Sequence, residues 1–179
     1  MIDPFDFAGN RLWVRSTIAW AATLLWAFTI FSFSGRSFGG ATTAWILQQA
    51  LRLLHLEVSP PVFEFLHFCL RKLGHVTEYA TFSVLLYFAL ESREHHRWRT
   101  RTALWAILLA GLYSLTDEYH QSLVPGRGPS LRDCGIDTVG AALGMLAMYH
   151  DARHAQASSR ITAAPSASPE DTKKGVAGE

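Results

Sequence analysis

Between Arg15 and Arg36 the chain runs for about twenty residues without a charge, enough to cross the roughly 30 Å hydrocarbon core of a bilayer as a helix. The run exceeds the apolar core of a secretory signal, about 7–15 residues, and the bulky Phe residues before Gly35 make a poor cleavage site. A retained membrane span over residues 16–33 is the expectation. Three further apolar stretches follow, at residues 73–90, 102–124 and 131–150. Each is uncharged for only about 12–15 residues and reaches spanning length only if its polar ends are counted. On hydropathy alone these three could equally be buried helices of a soluble bundle.

Composition separates the two cases. Charged residues make up 17% of the chain, against roughly 25% in a typical soluble domain. Trp13, Trp98, Trp105 and Tyr149 flank the stretches, where amphipathic rings favour the headgroup level. The expected fold is therefore all-α: a polytopic membrane protein with four transmembrane helices in one domain, residues 10–150. Residues 42–56 carry Trp45, Leu47, Leu51 and Leu54 at near-helical spacing, with Gln48, Gln49 and Arg52 mostly elsewhere. That pattern predicts an amphipathic interfacial helix in the first outer loop. Pro60-Pro61 suits the first turn of a helix running unbroken into the second span. Beyond Asp151 the chain turns to Ala, Ser, Pro, Lys and Glu, and residues 151–179 read as a disordered cytoplasmic tail.

Orientation follows Lys and Arg near the span ends. Arg11, Arg15, Arg93, Arg97, Arg99, Arg101, Arg153 and Arg160 share one side of a four-span model. Arg36, Arg52, Arg71, Lys72, Arg127 and Arg132 share the other, so the bias towards cytoplasmic termini in a bacterial inner (plasma) membrane is modest. A net charge of +1 speaks against a nucleic-acid partner. Cys69 and Cys134 fall on the outer side, where a disulfide is chemically allowed, although two unpaired small hydrophobes is the plainer reading.

Polar residues within the apolar stretches collect on that same outer side. Ionisable groups near hydrocarbon are costly and usually face a bundle interior, so each prompts a functional hypothesis. Lys72, His75 and Tyr79 follow i, i+3, i+7 spacing with Glu78 adjoining. Lys72 alone could be snorkelling to phosphates. Asp117 and Gln121 are i, i+4, while Glu118 lies about 100° round the helix. A purely structural reading makes this block the exposed end of a shorter span, but the apolar Leu123 and Val124 that follow argue against it. Pro125-Gly126 and Gly128-Pro129 fix a turn around Arg127, whose guanidinium suits bidentate recognition of phosphate or carboxylate. Arg132 and Asp133 open the fourth stretch, in which Asp133, Asp137, Gly140 and Gly144 share a face. The small residues there permit close helix contact, which would turn both aspartates inward.

The segments KLGHVTEYATFSVLLY and TDEYHQSLVPGRGPSLRDCGIDTVGAALG resemble the VanZ-like family of small bacterial membrane proteins. The FSFSG after the first stretch fits the same pattern. The resemblance implies functional positions at Lys72, His75, Tyr79, Asp117, Glu118, Gln121, Arg127 and Asp133. Relatives often carry Asn at position 137, so the family leaves open whether Asp137 is needed for its charge or as an amide-like acceptor. The founding member is associated with low-level teicoplanin resistance, a property that a shared fold does not transfer.

These residues suit an enzyme acting on a phosphate-bearing lipid head group in the outer leaflet, either a phospholipid or a polyprenyl-linked cell-wall intermediate. Phosphoryl chemistry needs cations to clamp charge and a base to ready the nucleophile. Arg127 with Lys72 or Arg132 would hold phosphate, assisted by Tyr79 and Gln121. His75, Glu78 or Glu118 would move protons, Asp117 would orient His75, and Asp133 and Asp137 would steer the basic groups. The alternative is a lipid- or glycopeptide-binding protein without turnover. A proton-coupled carrier fits less well, because the other span ends are nearly bare of polar groups. The carboxylate cluster could instead hold a divalent metal, although the sequence carries no metal motif and calls for no cofactor.

Overall fold

A computed structural model describes residues 7–35, 40–91, 98–123 and 130–163. They form five helices and no strand: α1 Phe7–Phe33, α2 Gly40–Leu53, α3 Pro60–Leu90, α4 Thr100–Ser122 and α5 Leu131–Ala163. Helix α3 packs against all four others, most extensively against α5. The polar end of the bundle gathers the C-terminal ends of α1 and α4, the middle of α3 and the start of α5. Tyr87 of α3, Trp98 and Tyr149 of α5 meet at the opposite end, where Tyr87 stacks on Trp98 with centroids 5.3 Å apart and Trp98 meets Tyr149 edge-on.

Helix α3 begins at Pro60, whose missing N–H costs nothing in a first turn, and continues without a break to Leu90. Helix α2 stops at Leu53, earlier than its apolar spacing predicts. Leu56 N–H donates to the Leu51 carbonyl at 2.9 Å, His55 N–H donates to the Arg52 carbonyl at 3.1 Å, and His55 adopts a left-handed φ of 54°. These paired bonds form a Schellman turn that satisfies the last carbonyls and redirects the chain. Helix α2 buries none of its residues and touches α3 alone.

One expectation needs correcting. Helix α5 does not end near His150 but runs on to Ala163, through a segment whose composition reads as disordered. That composition forbids a packed core, not a helix. Extending an existing helix through Ala, Arg and Gln avoids the costly nucleation step. Residues 164–179 lie outside the described residues.

Inside, the bundle has an apolar core around Phe82, Leu86, Tyr87 and Met145 and a polar end around Asp117 and Asp137, while its outer faces are apolar. On α4 the inward stripe runs Ala103, Ala106, Ala110, Ser114, Asp117, Gln121, all buried. The small alanines let the helices approach at one end, and the stripe then changes to hydroxyl, carboxylate and amide at the other. The outward face of the same helix exposes Leu104, Trp105, Leu108, Leu112, Leu115 and Tyr119. Leu73 and Phe88 of α3 and Val139, Leu143 and Leu146 of α5 are exposed likewise. Apolar surface this extensive on a soluble monomer would invite aggregation.

Among the described residues, only the segment Trp13–Phe33 is long and apolar enough, by length and composition, to cross a membrane. Of the four expected spans, the first alone meets that criterion among the described residues. The polar residues facing inward lower the average of α3, α4 and α5 without touching their outer faces.

Close helix contact is concentrated at Gly140 and Gly144 of α5. A Cβ at Gly140 would stand 2.7 Å from the Val76 carbonyl oxygen, and one at Gly144 would stand 2.5 Å from that of Ala80. Both obstacles are α3 backbone. Ser83 of α3 donates to the Ala141 carbonyl at 2.9 Å, a cross-helix bond that this proximity makes possible.

Candidate functional site

The i, i+3, i+7 stripe of α3 faces α5 and α4. Lys72 pairs with Asp133, the first-turn acid of α5. One turn further along both helices, His75 Nδ1 lies 3.0 Å from Asp137 Oδ1. Asp137 is fully buried, and its second oxygen accepts a hydrogen bond from the Ser114 hydroxyl of α4 at 3.0 Å. Ser114, Asp137 and His75 thus form a relay across three helices. With Nδ1 held by the carboxylate, the ring is fixed in orientation and Nε2 remains for other chemistry.

Asp117 has a different set of partners. Ser34, just beyond the end of α1, donates to one of its oxygens, and Gln121 donates to the other at 2.9 Å. Gln121 also reaches the Ser34 hydroxyl at 3.4 Å. Asp117 therefore ties α1 to α4, and Asp137 is the residue that orients His75 instead. Helical spacing shows which residues share a face but not how two helices are rotated against each other, which is what decides the partner.

Glu118 is buried and accepts a hydrogen bond from the Ser130 backbone N–H at 2.6 Å, linking the end of α4 to the start of α5. Its second oxygen, Oε1, is buried without a hydrogen-bond partner among the described residues. This geometry favours an anchoring role. Glu118→Gln retains an acceptor for Ser130 and should shift the melting temperature little, whereas Glu118→Ala strands that N–H and should cost about 1–3 kcal/mol. Thermal unfolding of the two variants in detergent separates the outcomes. Equal loss in both would mean that the charge itself holds the turn.

The Tyr79 hydroxyl is also buried without a hydrogen-bond partner among the described residues, with Asp117 and Asp137 in electrostatic range. The Trp26 indole of α1 donates to the Glu78 carbonyl at 3.0 Å, and the Tyr113 hydroxyl of α4 donates to the Ala27 carbonyl at 2.7 Å, so α1 is held by polar bonds as well as by packing.

A cavity of about 290 Å³ opens beside the relay. Its polar wall includes His75, Glu78, Gln121 and Arg71, while Phe33, Ile46 and Leu70 supply an apolar side. Of the residues expected from the sequence, His75, Glu78 and Gln121 line this cavity. Tyr79, Asp117 and Asp137 are buried in the polar core around it. Lys72 and Asp133 are engaged with each other, and Arg132 is exposed with no ion pair among the described residues. Arg127 lies outside the described residues.

Sequence reasoning missed Ser34, Ser114 and Arg71. Ser114 was within reach, being three residues before Asp117 on the same stripe. Cys69 is exposed, Cys134 is buried, and both are free thiols. Among the described residues no three His, Cys, Asp or Glu side chains converge to hold a metal ion.

An all-α bundle with an apolar exterior, one candidate spanning segment and a buried polar end is the architecture of a membrane-associated protein. The chain matches VanZ/LLP1 over residues 18–150 and is a member of that family. That stretch includes every site residue named above. No curated protein and no solved structure matches the chain.

Proposed function

We propose that this is a multi-pass membrane protein whose polar end acts on the phosphate-bearing head group of a lipid in the outer leaflet. Helices α1, α3, α4 and α5 would all cross the bilayer, with both termini cytoplasmic and α2 lying at the outer surface. The exposed leucines and aromatics of α3, α4 and α5 support this, because lipid, unlike water, solvates them at no cost. Membership of VanZ/LLP1 supports a role in the cell envelope.

The observation that carries the functional reading is the buried Ser114–Asp137–His75 relay beside the cavity. A carboxylate behind an imidazole fixes its tautomer and stabilises the cation formed when the ring takes a proton. Burying such a pair in a membrane bundle is costly where packing alone would do. His75 Nε2 is suited to accept a proton from water or a lipid hydroxyl as it attacks phosphorus, and to return it to the leaving oxygen. The apolar wall of Phe33, Ile46 and Leu70 would accompany the first part of an acyl or prenyl chain.

The test is conversion. Purified protein in bilayer discs of bacterial polar lipid should deplete one phosphate-bearing species over time and accumulate its product, as followed by mass spectrometry against empty discs. Selective retention of a lipid without conversion would replace turnover with binding.

A further inference from the structure

Arg71 precedes Lys72, yet the fold gives the two cations different surroundings. Lys72 is neutralised by Asp133. Arg71 lines the cavity and, among the described residues, has neither an ion pair nor a hydrogen bond. Its Nη1 lies 3.5 Å from where a Cβ on Gly40 would stand, which brings the guanidinium up against the start of α2. A half-buried guanidinium presents five donors in a rigid fork, and leaving them unanswered in a partly apolar cavity is unfavourable.

Gly74 supplies the second observation. Arg71, Gly74, His75 and Glu78 follow i, i+3, i+4, i+7 spacing and together form one wall of the cavity. Glycine inside a helix is disfavoured relative to alanine and usually reflects a close neighbour. Gly140 and Gly144 have such neighbours, but a Cβ on Gly74 would meet nothing within 4 Å. No packed neighbour therefore requires a glycine there, and what its missing side chain leaves is open space between Arg71 and His75.

We infer that Arg71 and Gly74 form the seat for an anionic phosphate ester, with Arg71 holding the charge and Gly74 leaving room for it next to His75. The seat rests on the head-group reading above and gives it the cation it lacks among the described residues. The cavity equals about ten water volumes, enough for a phosphate ester. The nearby Glu78 carboxylate would repel an anion placed too deep, which keeps the phosphate at the Arg71 end.

The experiment titrates the full chain in detergent with dihexanoyl phosphatidic acid and, separately, with inorganic phosphate, following binding by phosphorus NMR line broadening. The wild type should bind the lipid more tightly than the free ion. Arg71→Gln removes charge-assisted hydrogen bonds and should weaken lipid binding about tenfold or more. Gly74→Leu fills the seat and should abolish binding while leaving the melting temperature at or above that of the wild type. Arg52→Gln removes a cation of α2 that does not line the cavity and should change affinity by less than about threefold.

Wild-type affinity in a folded Gly74→Leu protein would overturn the seat, and so would equal weakening by Arg52→Gln and Arg71→Gln. Failure of the wild type to bind either anion would do the same. Equal affinity for phosphate and phosphatidic acid would overturn the lipid as the source of the anion. Turnover fails separately: intact binding with no lipid conversion by the wild type rejects the enzyme and leaves the seat standing.

Discussion

Removing the imidazole in His75→Ala should abolish lipid conversion while the protein still folds and inserts, and Asp137→Asn should lower the rate by a factor on the order of 10² to 10⁴. Asparagine keeps the volume of Asp137 but has one acceptor oxygen where the aspartate uses two, one facing His75 and one facing Ser114. If the amide nitrogen turns towards His75, it donates to Nδ1 and forces the ring proton onto Nε2, the wrong tautomer for a base. If it turns towards Ser114, the hydroxyl must reverse and the charge that stabilises the imidazolium is still lost. Ser114→Ala removes only one support of the carboxylate and should cost far less. Conversion rates measured beside melting temperatures separate the chemistry from the folding. A wild-type rate in Asp137→Asn would show that the position needs only a neutral acceptor.

The second large effect concerns the α3–α5 seam. Gly144→Ala adds a methyl 2.5 Å from the Ala80 carbonyl oxygen and 2.7 Å from the Ser83 hydroxyl. Ser83 can rotate, but the carbonyl belongs to the α3 backbone and can be relieved only by separating the helices. Overpacking of this kind costs typically 1–3 kcal/mol, and a rigid backbone obstacle belongs at the upper end. Separation would also stretch the Ser83–Ala141 bond and the His75–Asp137 contact on the same seam. Gly140→Ala combined with Gly144→Ala should leave little folded protein after extraction. Gly135→Ala is the matched control, since a Cβ there meets nothing within 4 Å and relief of helical glycine should stabilise by roughly 0.5–1 kcal/mol. Thermal unfolding in detergent reads all three, and a Gly144→Ala protein as stable as the wild type would refute the close approach.

The helices and their inward faces were legible because most of the polar residues that interrupt the apolar runs of α3, α4 and α5, among them His75, Asp117, Gln121 and Asp137, face the other helices. Asp117 with Gln121, and the aspartates with the glycines on α5, were readable from spacing alone. The partners were not. Whether His75 meets Asp117 or Asp137 depends on the rotation of α3 between α4 and α5, and small residues on α5 set that rotation by how closely they let α3 approach. Ser34 lies in the FSFSG segment, but its bond to Asp117 was not legible because it sits just beyond a helix, where periodicity has nothing to say. Arg71 was masked by its neighbour: adjacent cations look alike in sequence, and only the position of Asp133 distinguishes the one already paired. Mean hydropathy is blind to the same division, averaging over a turn what the structure of α3, α4 and α5 separates into a polar inner and an apolar outer face.

Carrying its polar groups inside and its apolar side chains outside also alters how this bundle should respond to heat. Water-soluble domains gain about 12–15 cal/mol/K per residue in heat capacity on unfolding, because apolar groups become hydrated. If α3, α4 and α5 cross the bilayer as proposed, the leucines and aromatics on their outer faces are in lipid before and after the helices part. Their separation then adds little to the heat capacity, and the stability curve is correspondingly flat, without the strong bend that drives cold denaturation. What holds the helices together is short-range contact and a handful of buried polar bonds, whose strength changes only gradually with temperature.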